Sequence, residues 1–121
     1  ARVMQLITDT ALIRRWSGEE GMIEAKEGGA MSLFDGWATG TVTEATPNKL
    51  TFAWRVAEWT AETPDTTVQL TLRSKDGGSE VTLVHTGFAT EDEMKSHRTG
   101  WNDFFFDPLE DYIMIFENRN R

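Results

Sequence analysis

The chain has 121 residues, no cysteine, and 20 acidic against 12 basic side chains, for a formal net charge of −8. That length is one domain's worth, and the charge argues against a nucleic-acid or anionic-membrane partner, since both require a basic surface. The absence of cysteine excludes disulfides and thiolate chemistry and fits a reducing cytoplasm, where the protein is expected.

No apolar run approaches the ~20 residues a membrane helix requires, and no signal-peptide pattern opens the chain, so membrane insertion is not expected. Residues 2–16 read as helical, with Val3, Leu6 and Ile7 and then Ala11, Leu12 and Trp16 at helix-like intervals. Thr8-Asp9-Thr10 breaks this run, and Asp9 or Thr10 can cap a second helix, which predicts a helix hairpin ended by Gly18 and Gly21. Strands follow: Met22–Lys26, a turn at Gly28-Gly29, Ala30–Phe34, a hairpin signal at Asp35-Gly36, and Trp37–Ala45, which alternates loosely up to Pro47-Asn48.

Leu50, Phe52, Trp54 and Val56 then alternate cleanly with polar or small residues. A loop with Pro64 follows, then Val68, Leu70 and Leu72, a turn at Asp76-Gly77-Gly78-Ser79, and Val81, Leu83 and His85. Strands joined by hairpin turns predict an antiparallel meander, and period-two parity puts Phe52, Trp54, Val68, Leu70, Leu72, Val81, Leu83 and His85 on one face.

After His85-Thr86-Gly87-Phe88 comes the acidic segment Glu91-Asp92-Glu93 and then a long helix. Its apolar residues at 101, 104, 105, 109, 112, 113 and 116 fall on one face and must pack against the sheet. Pro108 lacks an N–H and is expected to kink this helix near Phe104.

Few residues invite chemistry. His85 is the inward-pointing ionisable group, a candidate polar handle or general base whose ring nitrogens a carbonyl, hydroxyl or water would otherwise satisfy. His97 lies four residues after Glu93, and two such groups bind metal only weakly, so a solvated ion pair is expected and no metal site. No serine has a nucleophile-elbow context and no glycine motif cradles phosphate, which leaves no catalytic residue and no cofactor to name. Of five tryptophans, Trp16, Trp54 and Trp101 fall on inward faces, whereas Trp37 and Trp59 are expected to be partly exposed interaction anchors.

Several segments, in order along the chain, resemble the family of the activator of heat-shock-protein-ninety ATPase within the START-like (SRPBCC, helix-grip) superfamily. They are Leu6-Ile7-Thr8-Asp9 through Arg15-Trp16, Gly28-Gly29-Ala30-Met31, and Asp35-Gly36 into Gly40-Thr41-Val42. Pro47-Asn48-Lys49-Leu50 into Phe52-Ala53-Trp54-Arg55, His85-Thr86-Gly87-Phe88 and Gly100-Trp101 complete the set. The resemblance implies an α+β helix-grip domain over 1–121, with an N-terminal helix hairpin and an antiparallel sheet of six to seven strands wrapped around a long C-terminal helix. Members of that family usually have a strand before the first helix, whereas this sequence opens directly in helix, so the expectation is either a truncated chain or an open sheet edge.

The first functional expectation is a non-enzymatic binder of an apolar or amphipathic small molecule, held between the last helix and the sheet. Its walls would be Phe52, Trp54, Leu70, Leu83, Trp101 and Phe105, with His85 as the polar handle. The alternative is a co-chaperone-type module that stimulates a heat-shock-protein-ninety ATPase through Trp37, Trp59 and the acidic helix face. An enzyme related to the cyclases of the superfamily would rest on His85 alone.

Overall fold

A computed structural model describes residues 2–117. Two short helices open it, α1 (Arg2–Thr8) and α2 (Thr10–Ser17). Asp9 caps α2 by accepting the N–H of Leu12 at 3.1 Å, and Gly18 ends it in the left-handed region at φ 77°. The indole of Trp16 donates to the Leu6 carbonyl at 2.8 Å and locks the hairpin.

Six antiparallel strands follow in sequential order: β1 (Met22–Ile23), β2 (Ala30–Leu33), β3 (Ala38–Thr46), β4 (Lys49–Val56), β5 (Thr66–Lys75) and β6 (Gly78–Thr86). β1 is shorter than the expected Met22–Lys26, because the Lys26 N–H turns back to the Glu24 carbonyl at 2.7 Å and closes a tight turn. The loose alternation of β3 has a cause: its register against β4 shifts between Val42 and Glu44. This bulge moves the inward parity from Ala38 and Val42 to Ala45 and bends the strand. The β5–β6 hairpin turns through Asp76 and Gly77, both at positive φ (51° and 81°), the conformation a two-residue hairpin loop demands.

β4 supplies the centre of the core, with Leu50, Phe52, Trp54 and Val56 all buried on one face. Burying each such side chain stabilises the fold by ~1.5–3 kcal/mol. Val68, Leu70 and Leu72 of β5 share that face, as parity predicts. Val81, Leu83 and His85 of β6 are only half-buried, since β6 is one edge of the sheet among the described residues.

The acidic segment is the first turn of the last helix rather than a lead-in to it. Thr90 caps that turn, and Glu91, Asp92 and Glu93 lie where the helix dipole favours negative charge. The helix then runs as α3 (Glu91–Gly100), a π-helical turn over Trp101–Phe106, α4 (Asp107–Tyr112), and a second π-helical stretch over Ile113–Glu117. Pro108 has no N–H to return to the carbonyl four residues back. The ladder just before it loosens, and the Asp107 N–H reaches the Asn102 carbonyl five residues back.

This wider turn corrects the expected apolar stripe. Trp101, Phe105 and Leu109, spaced by four, are buried, but Phe104 is 63% exposed and Phe116 51%. In a π turn the i+4 position stays above its predecessor and the i+3 position is displaced outward. No helix among the described residues is long and apolar enough to cross a membrane.

Candidate functional site: an indole–imidazole network beside an aromatic pocket

The i+4 rhythm of the last helix extends backward from Trp101 to His97 and Glu93. It carries His97 into the sheet face, where the residue is 8% exposed, and overturns the solvated ion pair expected from sequence. The Glu93 carboxylate lies 3.6 Å from His97 Nδ1, whereas the Glu93 backbone carbonyl lies closer, at 3.1 Å. The ring packs against four aromatic side chains, Trp37, Trp54, Trp59 and Phe88, which exclude the solvent around it.

The partners fix the chemistry of both histidines. Trp54 Nε1–H donates to His97 Nε2 at 3.1 Å, so His97 carries its proton on Nδ1 and donates it to the Glu93 carbonyl. Trp101 Nε1–H donates to His85 Nδ1 at 3.0 Å, so His85 carries its proton on Nε2. That proton goes to Thr66 Oγ1 at 2.7 Å, and the Thr66 hydroxyl in turn donates to the Trp54 carbonyl at 3.0 Å. Every nitrogen of both rings is therefore used inside the protein.

Burial pushes the His85 imidazole down to about 3, and the nearby His97 pushes in the same direction. Protonating His85 on Nδ1 would also set an N–H against the Trp101 N–H. His85 is thus built as a neutral structural group, with no nitrogen left to serve as a base or to meet a ligand.

The seven residues expected to wall a cavity are brought together but divided among three environments. Phe52, Leu70 and Phe105 are closed into the core, at no more than 1% exposure, and line neither of the two pockets that the other four residues border. Trp54 and Trp101, with ring centroids 4.9 Å apart, close the floor of a pocket of about 450 Å³ between the last helix and the loops that follow β2 and β4. Leu83 and His85, again with Trp101, border a second groove of about 660 Å³ along the β6 edge.

Sequence reasoning flagged Trp37 and Trp59 as exposed anchors but not as pocket walls, and it did not find Phe34, Glu58 or Glu93 there at all. Phe34, Asp35 and Gly36 all take positive φ (56°, 58° and 85°), which swings Phe34 and Trp37 toward the pocket mouth. The loop is tied down by Asp35, which accepts the Glu20 N–H at 2.7 Å and returns its own N–H to the Glu20 carbonyl at 2.9 Å. Arg55 holds the opposite wall: its guanidinium donates to the carbonyls of Thr60 and Thr63 and to the Asp65 carboxylate, stitching the loop that carries Glu58 and Trp59. Among the described residues no group of three or more histidine and acidic side chains is placed to hold a metal ion.

A family model described as activator of Hsp90 ATPase homolog 1-like protein matches residues 1–114. The activator of 90 kDa heat shock protein ATPase homolog 1 of Mus musculus is 27% identical over 107 residues, covering 88% of this chain and 31% of that protein. Its Homo sapiens counterpart is 26% identical over the same extent, so the chain spans about a third of the length of these curated relatives. An HSP90 activator from Plasmodium falciparum superposes with a TM-score of 0.77 at 26% identity, over 96% of this chain and 86% of that one. CalU16 from Micromonospora echinospora gives 0.77 at 27% identity, over 93% of this chain and 65% of that one.

Proposed function

The chain belongs to the activator of Hsp90 ATPase homolog 1-like family, and on that basis we propose that it is a co-chaperone module that binds an Hsp90 partner and stimulates its ATPase. The observation that carries this reading is the likeness to the Plasmodium falciparum HSP90 activator along nearly the whole of both chains. The surface is compatible with it. Asp103, Asp107, Glu110 and Asp111 line the wet side of the last helix, and Trp37 and Phe104 are exposed apolar side chains that would serve as anchors. Contact would join this acidic face to a basic surface of the chaperone, and the work of the protein would be cytoplasmic and non-enzymatic.

The test is the ATP hydrolysis rate of purified Hsp90 with increasing amounts of the 121-residue chain. A saturable rise, reduced by the joint substitution Trp37→Ala and Phe104→Ala, is the expected result. An unchanged rate, together with no complex on gel filtration, would sink the proposal.

A second reading is favoured by the pocket itself: an apolar or amphipathic small molecule bound between the last helix and the sheet. A volume of about 450 Å³ with mostly aromatic walls is the size and character of a ligand site. In this reading Trp54 and Trp101 are contact walls, Phe52, Leu70 and Phe105 are the rigid backing, and Leu83 and His85 belong to the neighbouring groove. His85 orients Trp101 instead of touching the ligand's head group. Native mass spectrometry of freshly purified protein should reveal a reproducible adduct, and a clean mass with nothing released on denaturation counts against this second reading.

A further inference from the structure

Four of the five tryptophans, Trp37, Trp54, Trp59 and Trp101, line one pocket. The charged side chains around them are of one sign: Glu19, Glu58 and Glu93 are present, and no lysine or arginine lines the pocket among the described residues. The fifth and sixth rings, Phe34 and Phe104, border the mouth. From this juxtaposition we infer that the pocket selects a small organic cation, an ammonium group carrying an aromatic or alkyl body. This goes further than the small-molecule reading given above and rests on it.

Two features of the walls carry the selectivity. The Glu58 carboxylate accepts the Trp37 indole N–H with both oxygens, at 2.8 and 2.6 Å, and the Glu93 carboxylate lies 3.4 Å from the Trp59 indole nitrogen. Donation to an anion pushes electron density back into an indole ring, and the face of that ring becomes a better partner for a cation. The same carboxylates make the pocket a poor host for other ligands. An anion meets three like charges, and a neutral apolar body strips water from Glu58 and Glu93 without replacing it. A cation compensates the charge it desolvates, while its apolar body fills the space between the rings.

Neither wall is free to drift. Trp37 stacks on His97 with ring centroids 6.1 Å apart and planes 25° apart, and Trp59 lies 5.7 Å from the same imidazole. Because His97 is itself pinned between Trp54 and the Glu93 carbonyl, the aromatic walls are set before any ligand arrives.

The experiment is isothermal titration of the 121-residue chain with three probes of one shape. These are benzyltrimethylammonium, the neutral 2-methyl-1-phenyl-2-propanol, and the anion phenylmethanesulfonate. Indole N–H shifts in an NMR spectrum locate the binding. The expected result is binding of the cation about tenfold tighter than the alcohol, no binding of the sulfonate, and shifts centred on Trp37 and Trp59. Glu58→Gln and Glu93→Gln, which keep an acceptor for each indole, should erase the cation's advantage by weakening the cation and strengthening the alcohol, whose body no longer desolvates a carboxylate. Equal affinity for cation and alcohol would overturn the inference while leaving a small-molecule pocket standing. No binding of any probe at millimolar concentration would overturn the inference and the small-molecule reading together.

Discussion

The imidazoles of His85 and His97 stand edge to face, centroids 5.2 Å apart and planes at 88°, and two different indoles hold them as opposite tautomers. Trp54 takes part in both arms: its N–H feeds His97, and its carbonyl ends the chain that runs from Trp101 through His85 and Thr66. Orientation propagates through this network because each member has only one way to satisfy its neighbour.

Nitrogen-15 spectra of the histidine rings should show His85 protonated on Nε2 and His97 on Nδ1. Trp101→Phe keeps most of the ring and removes the N–H that fixes His85. That substitution should cost about 1 kcal/mol of stability and relieve the depression of the His85 titration only in part, because burial, its largest cause, stays. Identical tautomers in the native protein would contradict the network.

Stability should fall as pH falls through the range that His85 spans. Its folded value, about 3, lies below its ordinary 6.5, so the unfolded chain binds the proton more readily between those limits. The stabilisation from the neutral buried ring is complete above about pH 6.5 and is lost progressively on the way down to about 3. Urea midpoints measured from pH 7.5 downward should decline more steeply for the native chain than for His85→Gln, which has no group to titrate. Parallel declines would assign the acid sensitivity to the carboxylates.

Gly40→Ala should be among the most damaging single-methyl additions in the sheet. A Cβ at Gly40 would overlap the carbonyl of Ala53 on β4, and backbone cannot yield as a flexible side-chain tip does. A loss of about 2 kcal/mol or more is expected in chemical denaturation, near the upper range for overpacked sites. Gly77→Ala, by contrast, meets nothing within 4 Å, and its cost should reflect only the positive φ of 81°.

Arg55→Ala should loosen one wall of the pocket without opening the core. Arg55 bonds two carbonyls and one carboxylate in the loop that bears Glu58 and Trp59, and charged hydrogen bonds of this kind are worth ~1.5–3 kcal/mol when removed. Amide exchange should accelerate over residues 57–65 while β4 and β5 keep their protection. Uniform acceleration would mean that Arg55 supports the whole domain instead.

Much of the fold was readable from local pattern, and so was the family. Phe52, Trp54, Val68 and Leu70 point inward because strand side chains alternate strictly, and Asp76-Gly77 turns because those residues accept positive φ. These are properties of a few consecutive residues, and no knowledge of distant partners was needed to read them. His97 was legible in principle, one helical turn before Trp101, but a histidine beside an acidic residue on a polar stretch reads as solvated until the facing surface is known.

Only the tertiary structure decided which side chains meet. Trp54 and His97 are 43 residues apart in sequence, and the bond between them exists because β4 and the last helix cross at that point. The bulge near Thr43 and the π turn before Pro108 change which residues face inward, and each arises from backbone hydrogen bonds that strand or helix periodicity does not encode. The pocket is built from β4, three loops and a helix, with walls set by a network whose members lie far apart in sequence. The amino-acid sequence by itself determined the elements and the faces they bury, since alternation and amphipathicity are local. The packing of those faces determined the tautomers, the exposure of Phe104 and the aromatic pocket, since these depend on distances that exist only once the chain has closed on itself.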